Sequence, residues 1–451
     1  MVVRGSRLIV TDWGAKPTYG GWLAIDEGVV VEVGNGPTPE AATYLDAHRR
    51  MVIPGFVAAH HHLYQGSSRG VTATGGLLGW LSVHYRAWSR MSEEDVRAAA
   101  TASLVQLALG GCTTVAAFEY LHPADSDFVS PVVEAARRVG LRLLYVRGCS
   151  PRLEGPLAQE LTSAGVDTSR LVEPEAAALS RTAEVLSSPG SGTLRWACGP
   201  TTPVIDDGGE FHRRLTRIAD THGVGVHTHF HPLPGSAREG EGAAQLAHRI
   251  GLLRQGNWFA HGSQMSAADV GSLGESGVGL VHNPSCSVLL GYQIPDLAAW
   301  HHGNDRVAVS VDGAASNDRG SMIAEAQLAW QLQRARPARE TEVLAPAEIL
   351  EMGTTGAARA IGWPELGRLT PGSPADFCTL DLNELQFSGA PDTALDDPGS
   401  FLFRTYSGGR VRDLVVAGRT VVSDGSVVGI DEEAVATGAT ASARRLYSLH
   451  S

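Results

Sequence analysis

Two histidines, His60 and His62, close an apolar run near the start of the chain and have the spacing of paired metal ligands. Residues 52–59 are rich in β-branched and small apolar side chains, which favours a strand. Side chains at positions i and i+2 of a strand point to the same side, so both imidazoles can face one ion. His61 lies between them and should point away.

Further candidate ligands each close a later apolar segment. His227 and His229 follow residues 223–226, His261 follows residues 257–260, and Asp312 follows residues 307–311. Imidazole nitrogens together with a carboxylate suit zinc or iron. In a parallel α/β barrel every strand ends on the same face, so ligands far apart in sequence can meet there.

The elements that must position these residues alternate between helix and strand. Ser92 and Asp95 have the spacing of a capping box, and an Ala- and Leu-rich helix follows them to Gly110. Strand and helix patterns then alternate as far as residue 281, although residues 151–165 show no clear pattern. Strands separated by helices indicate a parallel sheet, so the fold class is α/β.

Several segments together resemble the amidohydrolase superfamily, in the branch of triazine hydrolases and 8-oxoguanine-type purine deaminases. The resemblance implies a (β/α)8 TIM-like barrel over residues 55–367. It also implies a small β-sandwich built from residues 1–54 and 368–451, with which the short strand patterns at both ends agree. The segments are PGFVAAHHHLYQGSSR (54–69), GWL (79–81), GGCTTV (110–115), HTH (227–229), AH (260–261), HNPSCSVLLG (282–291), VDGAASND (311–318) and LTPGSPAD (369–376).

Composition excludes several other classes of protein. The net charge of −12 and the absence of a basic stripe argue against a nucleic-acid partner. No apolar run reaches 18 residues and the first residues lack the apolar core of a signal peptide, so we expect no membrane partner and a cytoplasmic location. The 5 cysteines are widely spaced and predict reduced core residues. We expect a homo-oligomer, a dimer.

The number of metal ions depends on lysine. Lys16 is the only lysine in the sequence and precedes the barrel. Binuclear members of the superfamily commonly bridge two ions with a carboxylated lysine on the fourth strand. The sequence therefore predicts one divalent ion, with zinc favoured and iron as the alternative.

Roles for individual residues follow from the resemblance. It implies that His60, His62, His229 and Asp312 bind the metal and that Asp312 also takes the proton of the attacking water. His261 either completes the ligand set or hydrogen-bonds the water and the developing oxyanion, and His282 is a weaker candidate. We expect core or supporting roles for His61 and His227. Residues predicted to contact a planar substrate are Gln65, Trp80, Trp88, Tyr120 and Asn317, with Tyr64 as a further aromatic candidate.

One position departs from the family pattern. Deaminases of this branch usually carry a glutamate three residues after the fifth-strand histidine, where this chain has Pro232. Proline cannot transfer a proton. Alternative proton carriers are His231, whose ordinary pKa of about 6.5 suits acid–base catalysis, and the carboxylates of Glu119, Glu239 and Glu241.

The predicted activity is hydrolysis of a small nitrogen heterocycle that resembles a purine, pyrimidine or triazine. A divalent ion lowers the pKa of bound water to about 7, which supplies hydroxide at neutral pH. Hydrolytic deamination is the simplest reaction. Because the glutamate is missing, cleavage of a ring amide or a carbon–halogen bond stays open, as does a metal-binding pseudoenzyme.

Overall fold

The computed structural model describes residues 1–71, 76–203, 209–230, 240–336 and 343–448. The strands are β1 (Val2–Arg4), β2 (Leu8–Ile9), β3 (Thr18–Tyr19), β4 (Gly21–Asp26), β5 (Val29–Asn35), β6 (Tyr44–Asp46), β7 (Arg50–Pro54), β8 (Phe56–His61), β9 (Cys112–Glu119), β10 (Arg142–Cys149), β11 (Leu194–Pro200), β12 (His227–Phe230), β13 (Trp258–His261), β14 (Gly279–His282), β15 (Val307–Val309), β16 (Phe377–Asp381), β17 (Asp413–Val416), β18 (Arg419–Ser423) and β19 (Ser426–Val427). The helices are α1 (Gly76–Trp88), α2 (Glu93–Leu109), α3 (Val129–Val139), α4 (Gly155–Ser163), α5 (Glu175–Leu186), α6 (Glu210–Thr221), α7 (Ala243–Arg249), α8 (Ala267–Glu275), α9 (Pro284–Leu290), α10 (Leu297–Gly303), α11 (Met322–Ala335), α12 (Pro346–Met352), α13 (Thr355–Ala360), α14 (Pro398–Thr405) and α15 (Glu432–Tyr447).

Two parallel four-stranded sheets form the centre of the molecule. Their orders are β11-β10-β9-β8 and β12-β13-β14-β15, so each strand lies beside the next one in sequence. An isolated parallel bridge between Cys198 and Val226 links β11 to β12. On the other side, the Ser310 hydroxyl donates to the His60 carbonyl and accepts from the His60 amide, which links the segment after β15 to β8.

Burial explains why these strands read as continuous apolar runs. Every residue of β9 and of β10 is buried, as expected for parallel strands covered on both faces. Side-chain caps start three of the helices between the parallel strands, at Ser92, Ser266 and Asp296. The predicted capping box at Ser92 and Asp95 is present at the start of α2.

The terminal segments meet in a separate, mainly antiparallel sheet of order β19-β18-β17-β16-β7-β2-β3. Strand β16 from the second half of the chain pairs with β7 from the first. A second sheet of order β5-β4-β1-β6 comes from the first residues alone. The side chains of Val3, Leu23, Val52, Phe377 and Val415 belong to one apolar core that draws on both sheets.

The helices that the sequence patterns did not predict include α4, α14 and α15. Helix α4 lies in residues 151–165, where no pattern was clear, and Pro156 in its first turn fits a helix start. Helices α14 and α15 follow β16 and β19 in the last part of the chain. Among the described residues, no helix is both long and apolar enough to cross a membrane.

A buried ion pair joins the central strands to the terminal sheet. Arg142 on β10 donates to Asp376 at 2.6 and 3.0 Å, and Asp376 also accepts the Ala417 amide at 2.7 Å. We expect Asp376→Ala to lower the free energy of unfolding by roughly 3–5 kcal/mol, because it leaves the guanidinium buried and unpaired. Urea unfolding measures the loss. Asp392→Ala removes the partner of Arg7 in an exposed ion pair and should change stability little. Equal losses in the two variants would contradict a special role for Asp376.

Candidate metal centre

Three imidazoles and one carboxylate meet where the parallel strands end. Nε2 of His62 lies 3.1 Å from Nε2 of His229. The Asp312 Oδ1 atom lies 3.2 Å from His60 Nε2 and 3.5 Å from His62 Nε2. His60, His62 and Asp312 are buried, and His229 is half-buried. The structure therefore brings the four predicted ligands together.

Backbone carbonyls determine which nitrogen of two imidazoles carries the proton. His62 Nδ1 faces the Phe118 carbonyl, and His229 Nδ1 lies 2.7 Å from the Thr201 carbonyl. A carbonyl can only accept, so both Nδ1 atoms carry hydrogen and both Nε2 atoms present lone pairs. Two lone pairs 3.1 Å apart repel unless a cation lies near both.

His227 determines which ring nitrogen of His60 carries the proton, in the same way. Its Nδ1 donates to the Trp258 carbonyl at 2.8 Å, so its Nε2 is an acceptor. That Nε2 lies 2.8 Å from His60 Nδ1, which must then be the donor. His60 Nε2 is left as a buried lone pair that makes no hydrogen bond with any described residue. The structure thus places His227 behind His60, in the supporting position expected from the sequence.

Removing the His227 acceptor should weaken metal binding. In His227→Phe the ring can still stack on Trp258, whose centroid lies 4.7 Å away, but the hydrogen bond to His60 is lost. Because such supporting partners typically contribute 10–100-fold to metal affinity, we expect a loss of about that size. Competition with a chromogenic chelator measures it. An unchanged affinity would show that the His60 tautomer does not depend on His227.

Burial keeps these groups in the forms that bind metal. Desolvation, with the charge of His60, lowers the pKa of His62 to about 4, and the same causes hold the pKa of His229 well below its ordinary value. Burial opposes ionisation of Asp312, but the adjacent His60 and the charges of His62 and His261 outweigh it and keep the pKa of Asp312 low. At neutral pH the site therefore offers neutral imidazoles at His62 and His229 and a carboxylate at Asp312.

Local backbone strain sets the direction of two side chains. His261 has φ 74° and Asp312 has φ 61°, a region that non-glycine residues rarely occupy. The Asp312 carboxylate is held by the Gly313 amide at 2.7 Å and by the Ser316 hydroxyl at 2.9 Å. His261 Nδ1 lies 3.3 Å from the Asn283 side-chain amide. Donor atoms of His60, His261 and Asp312 lie within 4.8 Å of one another, so His261 adjoins the centre.

Aromatic rings surround the centre in two layers. Tyr120 lies against it, with ring centroids 5.2 Å from His62 and 5.8 Å from His229. Tyr64 contacts His62 and Tyr120, and Trp88 stands behind Tyr64 with a centroid distance of 5.1 Å. Trp80 packs on Trp88 in turn, and its indole donates to the Ala315 carbonyl. Substrate contact for Tyr120, Trp80 and Trp88 stays a prediction.

The sequence patterns did not indicate Tyr292, which directly follows the segment HNPSCSVLLG (282–291). Its ring lies 5.6 Å from the ring of His261. It comes directly after Gly291, which ends α9 in the left-handed conformation. The glycine was a usable signal for the end of the helix, but nothing in the sequence indicated where the next ring would point.

The remaining predicted side chains form hydrogen bonds with backbone groups close to the centre. Gln65 accepts the Ala315 amide at 3.3 Å, and Asn317 donates to the Val311 carbonyl at 2.9 Å. Glu119 accepts the amides of Leu63 and Tyr64. Burial raises its pKa to about 8, against the lowering effect of those two amides. Their predicted substrate and catalytic roles remain predictions.

Of the alternative proton carriers, Glu241 forms an ion pair with Arg249 at 2.6 Å. His231, Pro232 and Glu239 lie outside the described residues. The weaker candidate His282 is buried at the end of β14, and neither of its ring nitrogens has a hydrogen-bond partner among the described residues. These placements leave the identity of the proton carrier as a prediction.

The donor set suits one divalent transition-metal ion. Three imidazole lone pairs and a carboxylate are the ligand types of catalytic zinc and of several iron sites. Strand β11, the fourth parallel strand, ends in Cys198, Gly199 and Pro200 and offers neither lysine nor carboxylate at that position. Two groups of described residues have donor atoms close enough together to hold a metal ion, and both include His60.

Known proteins are similar to this chain in both sequence and fold. The model of the amidohydrolase family matches residues 51–421. An 8-oxoguanine deaminase of Pseudomonas aeruginosa is 31% identical over 432 residues, which cover 91% of each chain. Hydroxydechloroatrazine ethylaminohydrolase of Pseudomonas sp. strain ADP is 30% identical over 414 residues, 87% of this chain and 82% of that protein. The crystal structure of an atrazine chlorohydrolase from Arthrobacter aurescens complexed with zinc has a TM-score of 0.86 and 25% identity, and the match covers 98% of this chain and 99% of the other.

Proposed function

We propose, from the premise that the chain belongs to the amidohydrolase family and is a hydrolase of carbon–nitrogen bonds, that it uses a single zinc ion to hydrolyse a small nitrogen heterocycle. Release of ammonia or an amine from the ring is the simplest reaction. The observation that carries the proposal is the centre itself, where His60, His62, His229 and Asp312 converge with the lone pairs free.

Each residue of the centre has a distinct task in this proposal. His60, His62, His229 and Asp312 would hold the ion, which when bound would lower the pKa of a water molecule to about 7. Asp312 lies beside two of these imidazoles and takes the proton of the attacking water on a carboxylate oxygen. Its bonds to Gly313 and Ser316 hold it in place, so little reorganisation is needed. His261, next to Asp312, hydrogen-bonds the water and the oxygen that develops negative charge.

The fold proposed to carry this centre is a closed (β/α)8 barrel over residues 55–367. The Cys198–Val226 bridge and the bonds between Ser310 and His60 support closure, because they link the two parallel sheets at both sides. Residues 1–54 and 368–451 form the accompanying β-sandwich in this proposal. The pairing of β7 with β16 and the shared apolar core support it.

A flat aromatic ring is the substrate shape that the surroundings favour. Tyr120 stands beside His62 and His229, and Tyr292 stands beside His261. Aromatic rings at these positions can pack on a planar heterocycle while the polar groups of the centre face its reacting carbon. The curated relatives include proteins named for 8-oxoguanine and for hydroxydechloroatrazine, which are both flat nitrogen heterocycles.

A second reaction is favoured by one position in the sequence. Pro232 stands where deaminases of this branch carry their proton-transferring glutamate. A leaving group that departs without a proton, such as chloride, needs no such residue. The structural neighbour from Arthrobacter aurescens is named a chlorohydrolase. Dechlorination is therefore the second candidate reaction.

Product analysis with zinc-loaded protein tests the proposal. Aminopurines, aminopyrimidines, aminotriazines and chlorotriazines are incubated with the enzyme, and ammonia, amine and chloride are measured separately. We expect ammonia or amine from at least one ring class, and the release should stop when a chelator removes the metal. Chloride release alone would support the second reaction. Full metal occupancy without turnover of any of these compounds would overturn the proposed function.

A further inference from the structure

The end of strand β9 holds His62 from two directions. The Phe118 carbonyl accepts from Nδ1 of the His62 ring. The next residue, Glu119, accepts the amide of Leu63 at 2.7 Å on Oε1 and the amide of Tyr64 at 3.4 Å on Oε2. Consecutive residues of β9 thus bind the His62 ring and the two backbone amides that follow His62.

The two residues use opposite faces of the strand. The Phe118 ring faces the centre, with centroids 4.8 Å from His227 and 5.1 Å from His229. Adjacent side chains on a strand point to opposite sides, so the Glu119 carboxylate points away from that face. It is only 2% exposed and meets the backbone turn that follows His62.

That turn has no other side-chain cap. His62 is the N-cap of the short 3₁₀ helix Leu63–Ser67, and the His62 side chain makes no capping hydrogen bond. The first amides of a helix need outside acceptors, and a carboxyl group has two oxygens that can meet two such amides. Glu119 supplies both acceptors from a strand 56 residues away in sequence.

We propose that Glu119 is a positioning residue that fixes His62 for metal binding through the Leu63 and Tyr64 amides, and that it does not carry the proton of the reaction. This inference rests on the proposed function of the centre. The same turn also carries Tyr64, whose ring contacts His62 and Tyr120 at 5.9 and 5.7 Å. Glu119 therefore positions part of the aromatic wall together with the ligand.

Glu119→Gln separates positioning from proton transfer. The amide retains one acceptor for Leu63, but its NH₂ group then meets the Tyr64 amide, donor against donor. We expect zinc affinity to fall by about 10–100-fold. At saturating zinc, kcat should fall far less than the roughly 10²–10⁴-fold that the loss of a proton carrier would cause. The full-length apo-protein is titrated with zinc in competition with a chelator, and kcat is then measured across zinc concentrations.

Asp95→Asn is a matched control. Asp95 is also buried, at 5% exposure, and accepts the Ser92 amide at 2.8 Å in the cap of α2. Its loss should lower thermal stability and leave zinc affinity unchanged. If Glu119→Gln fails to fold, Glu119→Asp replaces it, since it keeps both acceptors but shortens their reach, and it should again weaken zinc binding.

Two outcomes overturn the inference. Zinc affinity equal to that of the parent protein in the Glu119 variant would remove the positioning role. Unchanged affinity with kcat lowered by about 10²–10⁴-fold at saturating zinc would identify Glu119 as the proton carrier instead. Failure of the proposed function would look different, because no heterocycle would react in the parent protein while the zinc titrations would still report on Glu119.

Discussion

Replacing Asp312 with asparagine will lower kcat by roughly 10²–10⁴-fold while the protein still folds and retains part of its metal. An amide oxygen can still face the ion, but it cannot take a proton from water. The fold should tolerate the change because one amide oxygen can accept the Gly313 amide, and the Ser316 hydroxyl can rotate to accept from the new NH₂ group. Steady-state kinetics at saturating metal, on the substrate found in the product screen, measures the loss.

Asp318→Asn is the comparison for this variant. Asp318 lies six residues further along the same loop, where it accepts the Gly70 amide at 2.7 Å. The same chemical change at that position should leave kcat close to that of the parent protein. If Asp312→Asn retains activity within about fivefold of the parent, another residue activates the water and the role of Asp312 as base is wrong.

The double variant His60→Ala/His62→Ala will lose the metal and all measurable turnover. Two of the three imidazole lone pairs disappear, and His229 and Asp312 alone cannot make up the ligand set of a catalytic zinc site. Metal content after exhaustive dialysis and turnover in the same sample measure the effect. Circular dichroism reports whether the fold persists.

A pair of histidines on the surface provides the control. His301 and His302 are neighbours at the end of α10 and lie outside the centre. His301→Ala/His302→Ala removes the same number of imidazoles and should retain full metal content and turnover. Full occupancy in the His60/His62 variant would show that the ion binds elsewhere.

Local patterns in the sequence indicated the residues that the structure brings together at the candidate centre. His60 and His229 lie one residue before the ends of β8 and β12, His261 ends β13, and Asp312 follows β15. Parallel strands bring these ends to one face. Two-residue spacing on one strand correctly indicated that His60 and His62 share a side. Capping chemistry likewise indicated the start of α2 at Ser92. Each of these signals depends on a few neighbouring residues.

The hydrogen-bond partners of the supporting residues could not be predicted in this way, because they come from distant strands. His227 acts through Trp258 and His60, which are 31 and 167 residues away. The amide acceptors on Glu119 and the position of Tyr292 likewise depend on how strands and loops pack around the centre. Only the three-dimensional arrangement shows which side of the strand each of these side chains faces.

The metal content of the parent protein tests the central claim most directly. Elemental analysis of the purified full chain, combined with stepwise addition of zinc to the apo-protein, gives the number of ions per chain and the occupancy at which activity saturates. We predict that activity and binding both saturate at one ion per chain, because Lys16 is the only lysine and β11 ends in Cys198, Gly199 and Pro200. Two tightly bound ions per chain, with activity that appears only when both are present, would contradict a mononuclear centre.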